Sequence, residues 1–189
     1  MTTKIVLFLA TIGLPLMFSQ CGGPKKVSSG KTEIQEPLSG SEYQSSEKYF
    51  RAVQSGKSPN LSTAKKIALQ NAKSQLASNI QSTIKTVTSQ YTNQRSIGDQ
   101  QEYESKFEEL TRNVVNQKLT DVKIIGSKVF EEDNGTYTYW VAVEASKDAI
   151  LNGINSSISE DAKLQLEYDK QQFEKTFNEE MKKVEEEQP

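Results

Sequence analysis

"DVKIIGSKVFEEDNGTYTYWVAVEAS", residues 121–146, decides the fold. Two runs rich in Val, Ile, Tyr, Phe and Trp flank Asn134-Gly135. That dipeptide suits a type I′ hairpin turn, whose two central positions need positive φ. In the first run Val122, Ile124, Lys128 and Phe130 share one face. In the second, Tyr137, Tyr139, Val141 and Val143 lie opposite Thr136, Thr138, Trp140 and Ala142. Bulk on both faces of the second run predicts a central strand covered on both sides.

Working upstream, "KYFRAVQSG" (48–56) alternates as a strand does. Gly56 and Pro59 break it, and Ser62 is a good N-cap. A long helix is predicted from Thr63 to Gln90. Ala64, Ala68, Ala72, Leu76, Ile80 and Ile84 recur every four residues, with Ile67, Leu69 and Ala77 widening the stripe. The alanine half lets a neighbour approach closely, so the stripe reads as core. Asp99 is placed to cap a second helix, Gln100 to Leu119, with Tyr103, Phe107, Leu110 and Val114 inward.

Beyond the hairpin, "SKDAILNGINSSI" (146–158) is helical but interrupted at Gly153. A last stretch, Ser159 to Glu187, carries a narrow stripe of Ala162, Leu166, Phe173, Phe177, Met181 and Val184. Glu160–Lys163, Glu167–Lys170 and Glu179–Lys183 have pairing distances on that helix. The order strand, helix, helix, strand, strand, helix predicts an α+β domain over residues 47–156, a small antiparallel sheet packed by helices. Residues 157–189 then form a long, charged amphipathic helix. Phe173, Phe177 and Met181 are its candidate partner surface, including for self-association as a coiled pair.

Composition narrows the chemistry. The 189 residues are 34% hydrophobic and 25% charged, with a net charge of −2, no histidine and one cysteine. No basic field invites nucleic acid. Without histidine, the usual general base and the commonest metal ligand are missing. No catalytic residue, metal site or cofactor is therefore assigned. "SGKS" (55–58) and "SGKT" (29–32) lack the earlier glycine of a phosphate loop. Glu131, Glu132 and Asp133 fit a solvated hairpin tip better than a catalytic pair. Tyr137, Tyr139 and Trp140 form an aromatic run able to stack on a sugar or small ligand, or to serve as sheet surface.

At the other end, Lys4 and the apolar run Ile5–Met17 look like a secretory signal over residues 1–20. The run falls short of the roughly 20 residues that span a bilayer. Cys21 follows where such a signal is cut. With Ser19 it resembles the lipobox of bacterial lipoproteins, although Phe18 and Gln20 replace the usual leucine and small residue. That resemblance implies that Cys21 becomes the first mature residue and carries acyl chains such as palmitate. More than one chain makes attachment firm, at about 0.8 kcal/mol per buried CH₂. No aspartate follows Cys21, so the outer membrane is expected over the inner, with the face of the membrane left open. Residues 21–46, rich in Ser, Gly, Pro and charge, have the composition of a flexible tether.

A further resemblance lies in "YFRAVQSGKSPNLSTAKKIALQNAKSQLASNI" (49–80), through Ala52, Gly56, Ala64, Ala68, Ala72, Leu76, Ala77 and Ile80. With the closing "YTYWVAVEASKDAI" (137–150), it resembles the Lpp-twenty type of bacterial outer-membrane lipoprotein over residues 47–150. The resemblance implies an α+β fold and an envelope location, and carries over no catalytic residue. The function expected is non-enzymatic: a lipoprotein that binds or scaffolds an envelope partner through the sheet edge or the C-terminal helix. The alternative is a cell-wall or small-ligand binding module that uses the aromatic strand.

Overall fold

The computed structural model describes residues 34–95 and 99–188. The chain is α+β. Its sheet holds β1 (Tyr49–Ser58), β2 (Lys123–Glu131) and β3 (Tyr137–Ser146), all antiparallel, in the order β1-β3-β2. The hairpin therefore supplies the middle strand, and β1 closes the other side. Helices α1 (Leu61–Asn93) and α2 (Gln100–Lys118) come between β1 and β2. After β3 follow α3 (Lys147–Glu160), α4 (Ala162–Glu167) and α5 (Lys170–Glu186).

The register sorts side chains into two layers. Phe50, Ala52 and Gly56 of β1 pair with Ala145, Val143 and Tyr139 of β3 on the side that meets α1. There the alanine stripe works as its spacing suggested. Ala64, Ala68 and Ala72 are fully buried. A Cβ on Gly56 would lie 2.4 Å from the Ala68 amide nitrogen and 2.5 Å from the Ala64 carbonyl oxygen. Strand and helix backbones are thus in contact, which only glycine and small residues permit. β1 runs on through Gly56 to Ser58, and the helix starts two residues early. Asn60, not Ser62, is its cap: the Asn60 side-chain Oδ1 accepts from the Thr63 amide at 3.0 Å.

Where α1 leaves the sheet, its stripe enlarges to Leu76, Ile80, Ile84, Val87 and Tyr91, all buried. α2 and α5 pack here. Asp99 caps α2 through the Glu102 amide at 2.9 Å. α3 is continuous through Gly153, where the missing side chain lets α2 come close: a Cβ there would press within 2.7 Å of Val114. Buried Thr83, Thr88, Thr111 and Thr176 each donate to a carbonyl of their own helix, so the helical interior keeps its hydroxyls satisfied.

The C-terminal region departs from the single separate helix expected for residues 157–189. α3 crosses that boundary. The chain then turns at Asp161 and again at Tyr168-Asp169, both extended. Each aspartate restarts a helix: Asp161 accepts from the Lys163 and Leu164 amides, and Asp169 from the Gln172 amide. The breaks also dissolve two expected ion pairs, and Lys163 pairs with Glu102 of α2 instead at 3.0 Å. Lys183 pairs with Glu180 instead of Glu179.

The tether also ends sooner than expected. Glu36–Pro189 is one compact unit, so residues 36–46 belong to the body. Leu38 is buried, with a left-handed φ of 59°. Tyr43, in a short 3-10 turn, covers Gly126 on the side of the sheet away from α1; a Cβ there would meet its ring at 2.6 Å. The Ser45 hydroxyl then engages both the N–H and the C=O of Arg51. The end of α5 holds this strap: Gln188 accepts from the Ser45 amide and Glu185 from the Glu47 amide.

The turn of the hairpin is not type I′. Only Gly135 has positive φ, 73°, and its amide donates to the Glu132 carbonyl at 2.8 Å. Glu132 N–H in turn donates to the Thr136 carbonyl. This is the three-residue loop that ends in a left-handed glycine.

Candidate functional site

The residues expected at a surface divide sharply. Phe173, Phe177 and Met181 are completely buried. Phe173 lies 5.6 Å from Tyr91, 5.1 Å from Phe107 and 6.2 Å from Phe177, ring centre to ring centre. Phe177 meets Phe50 of β1 edge-on at 6.3 Å. Phe173, Phe177 and Met181 thus belong to the domain core and are not the partner surface expected of them, whereas Leu166 of the same stripe is 85% exposed.

The aromatic run of β3 is split by its own alternation. Tyr137 and Tyr139 lie on the α1 side, where the Lys65 ammonium sits 5.5 Å from the Tyr139 ring centre. Trp140 is on the opposite side, half-buried between Ser55 of β1 and Lys128 of β2. The three rings share no single platform. Cys21 lies outside the described residues, as do the signal segment and "SGKT".

Carboxylates are engaged in holding structure. At the hairpin tip Glu132 pairs with Lys57 and accepts from Thr138, and both hydrogen bonds hold its carboxyl below the usual range. In a polar groove of about 360 Å³ between α1 and α2, Glu104 accepts from Thr92 at 2.6 Å and from Gln100 at 3.0 Å. Those bonds likewise lower its pKa. Glu108 there pairs with Arg112. "SGKS" forms the end of β1. Tyr91, Tyr103 and Tyr168 all have raised pKa values, chiefly through desolvation in the aromatic core. Among the described residues no cluster of three metal-ligating side chains occurs, and no helix is long and apolar enough to cross a membrane.

What remains prominent is β2. None of its nine residues is buried. Ile124, Val129 and Phe130 are 52%, 51% and 47% exposed. α1 packs on β1 and β3, and stops short of this strand. A bulge between Ile124 and Gly126 shifts the register. Ile124 and Val129 consequently pair with Val143 and Tyr139 on the α1 side, whereas Lys123, Gly126, Lys128 and Phe130 share the other. The face expected to join Ile124 with Lys128 and Phe130 is therefore broken at the bulge. Charges on that other side form one row across all three strands: Arg51 to Glu144 at 3.1 Å, and Glu144 to Lys123 at 3.8 Å.

The strand pattern of β2 was legible in the sequence, but its exposure was not. Gly126 and Lys128, which interrupt the apolar run, were the available signal. No family model matches the chain, and no curated protein matches it. The Lpp-twenty resemblance accordingly rests on the residues quoted for it.

Proposed function

We propose that the protein is a non-enzymatic lipoprotein of the bacterial outer membrane, anchored through acyl chains on Cys21, whose body binds an envelope partner along β2. The observation that carries the binding role is the exposure of β2: a full-length strand with exposed apolar side chains on both faces, covered by Tyr43 at Gly126 but by no helix among the described residues. Monomeric proteins rarely leave such a strand bare, because it recruits other chains.

Two measurements test the proposal. Intact mass of the mature protein should show cleavage before Cys21 and added acyl mass; an unmodified thiol would overturn the anchor. A photo-crosslinking residue placed at Lys128 in cells should capture an envelope component, whereas the same residue at Lys175 should not. Equal yields at both positions would overturn the binding role. A cell-wall or small-ligand role would use either Trp140 or the Tyr137–Tyr139 pair on the opposite side of β3, and a Trp140 fluorescence titration with cell-wall fragments tests the first.

A further inference from the structure

The two edges of the sheet are treated differently at the level of the backbone. Along the outer edge of β1, Ser46 exchanges main-chain hydrogen bonds with Tyr49, Ser45 binds both polar groups of Arg51, and Asn71 of α1 donates to the Ser55 carbonyl at 2.9 Å. The outer edge of β1 is therefore already engaged at Tyr49, Arg51 and Ser55. Along β2, no loop or side chain among the described residues bonds to the backbone between Lys123 and Glu131. Its outward N–H and C=O groups form a free template.

The side chains give this template a chemical character. Lys123 and Lys128 project from the same side as Phe130. Lys123 is 75% exposed and only grazes Glu144, a carboxylate already bonded to Arg51. Lys128 has no ion-pair partner among the described residues. Glu131 falls on the α1 side, away from Lys128. The side facing α1 offers Ile124 and Val129. An incoming strand thus meets positive charge on one face and apolar surface on the other.

We infer that β2 accepts a fourth strand from a partner segment that alternates acidic and apolar residues, the acidic ones flanking Lys128 and Lys123. Main-chain hydrogen bonds supply affinity in this mode, and alternate side chains supply specificity. A second copy of β2 fits poorly. A two-fold axis perpendicular to the sheet pairs the strand with itself about one residue. Centred on Lys128, it sets lysine against lysine, which is destabilising. Centred on Ser127, it runs into the bulge. Centred on Val129, it sets Glu131 against Ser127 and Lys128 against Phe130. The inference rests on the binding role proposed above and specifies its chemistry.

The test uses the full chain in detergent and synthetic nonapeptides of alternating Glu and Val. Binding should slow hydrogen exchange at the outward amides of β2 and leave β1 unchanged. Lys128→Glu should weaken the peptide about tenfold, as expected for loss and reversal of a cross-strand charge pair. The same variant should gain affinity for alternating Lys and Val. Methylating alternate peptide nitrogens should abolish binding. Circular dichroism of Lys128→Glu, an exposed site, checks that the fold persists. Three results would overturn the inference: no protection of β2, equal binding of the Lys–Val peptide to the unaltered chain, or a dimer in sedimentation that uses β2. If crosslinking at Lys128 still captures an envelope component while the peptide fails, the binding role survives and strand addition does not.

Discussion

β1 and β2 flank the same central strand and differ by one residue in length, 10 against 9. By composition β2 is the more apolar, with Ile124, Ile125, Val129 and Phe130 against Phe50, Ala52 and Val53. Yet β1 contributes buried Phe50 and Ala52 to the core, and β2 contributes nothing. Their neighbours make the difference. Ala64, Ala68 and Ala72 let α1 settle on β1 until the backbones touch at Gly56. No helix offers β2 such a face. Burial of an edge strand depends on what can come close to it, more than on its own hydrophobicity.

The sharpest way to break this contrast is to truncate one phenylalanine on each strand. Phe50→Ala should cost about 3–5 kcal/mol, as for a fully packed core aromatic. Phe130→Ala should stay within about 0.5 kcal/mol, as for an exposed site without special contacts. Urea unfolding measures both. Equal losses would mean that β2 is covered in solution.

A second test exchanges glycines. Gly56→Ala forces a Cβ against the α1 backbone and should cost about 1–3 kcal/mol through overpacking. Gly126→Ala meets only the Tyr43 ring, which can swing away, so its loss should be smaller. In a Tyr43→Ala background the Gly126→Ala penalty should vanish and the Gly56→Ala penalty should persist, since only the first pair shares a contact. Persistence of both would show that residues 36–46 do not cover that side of the sheet.

This contrast also marks how far the sequence could be read. Period-four alanines, the alternation of β3 and the Asn-Gly turn are local patterns, and they placed the α+β order and the central strand correctly. What they could not fix depends on distant partners. The stripe Phe173, Phe177, Met181 has the same spacing whether it faces solvent, a second chain or its own core. Only the breaks at Asp161 and Asp169 bring it back onto Tyr91 and Phe50, and the apolar spacing ran through both as one helix. Likewise, Pro37 and Gly40 read as linker because nothing local reveals that Tyr43 has a glycine to cover. For the candidate site, the bulge at Ile124–Gly126 decides which side chains share a face. A simple alternation count runs straight through it.

Charge pairs extend the comparison at lower energy. Arg51–Glu144 joins β1 to β3 with both side chains mostly buried, 16% and 11% exposed. A double-mutant cycle should give a coupling of about 1–2 kcal/mol, in the range of hydrogen bonds to charged groups. Lys57–Glu132 lies at the exposed end of the sheet. Its coupling should be smaller and should fade in high salt, where surface charges are screened. A salt-insensitive Lys57–Glu132 coupling would show that the hairpin end is more enclosed than β2's exposure implies.

The smallest expected effect concerns the turn that directs the C-terminal chain back to β1. The Asp161 carboxylate accepts from the Leu164 and Lys163 amides, and these bonds, that from Leu164 foremost, hold its pKa below the ordinary value. A carboxylate depressed in the folded state stabilises the fold above its unfolded pKa. That contribution disappears as pH falls through the folded pKa. Asp161→Asn keeps the capping oxygen and removes the charge. The variant should be slightly less stable than the parent at neutral pH, and the two melting curves should converge on acidification. Because α4 leads into α5, and Phe177 of α5 covers Phe50, acid should loosen hydrogen exchange in α5 and β1 before it alters β2. A pH-independent gap between parent and variant would separate the Asp161 cap from its charge. Early loss of β2 protection would sever the link between this turn and the covered side of the sheet.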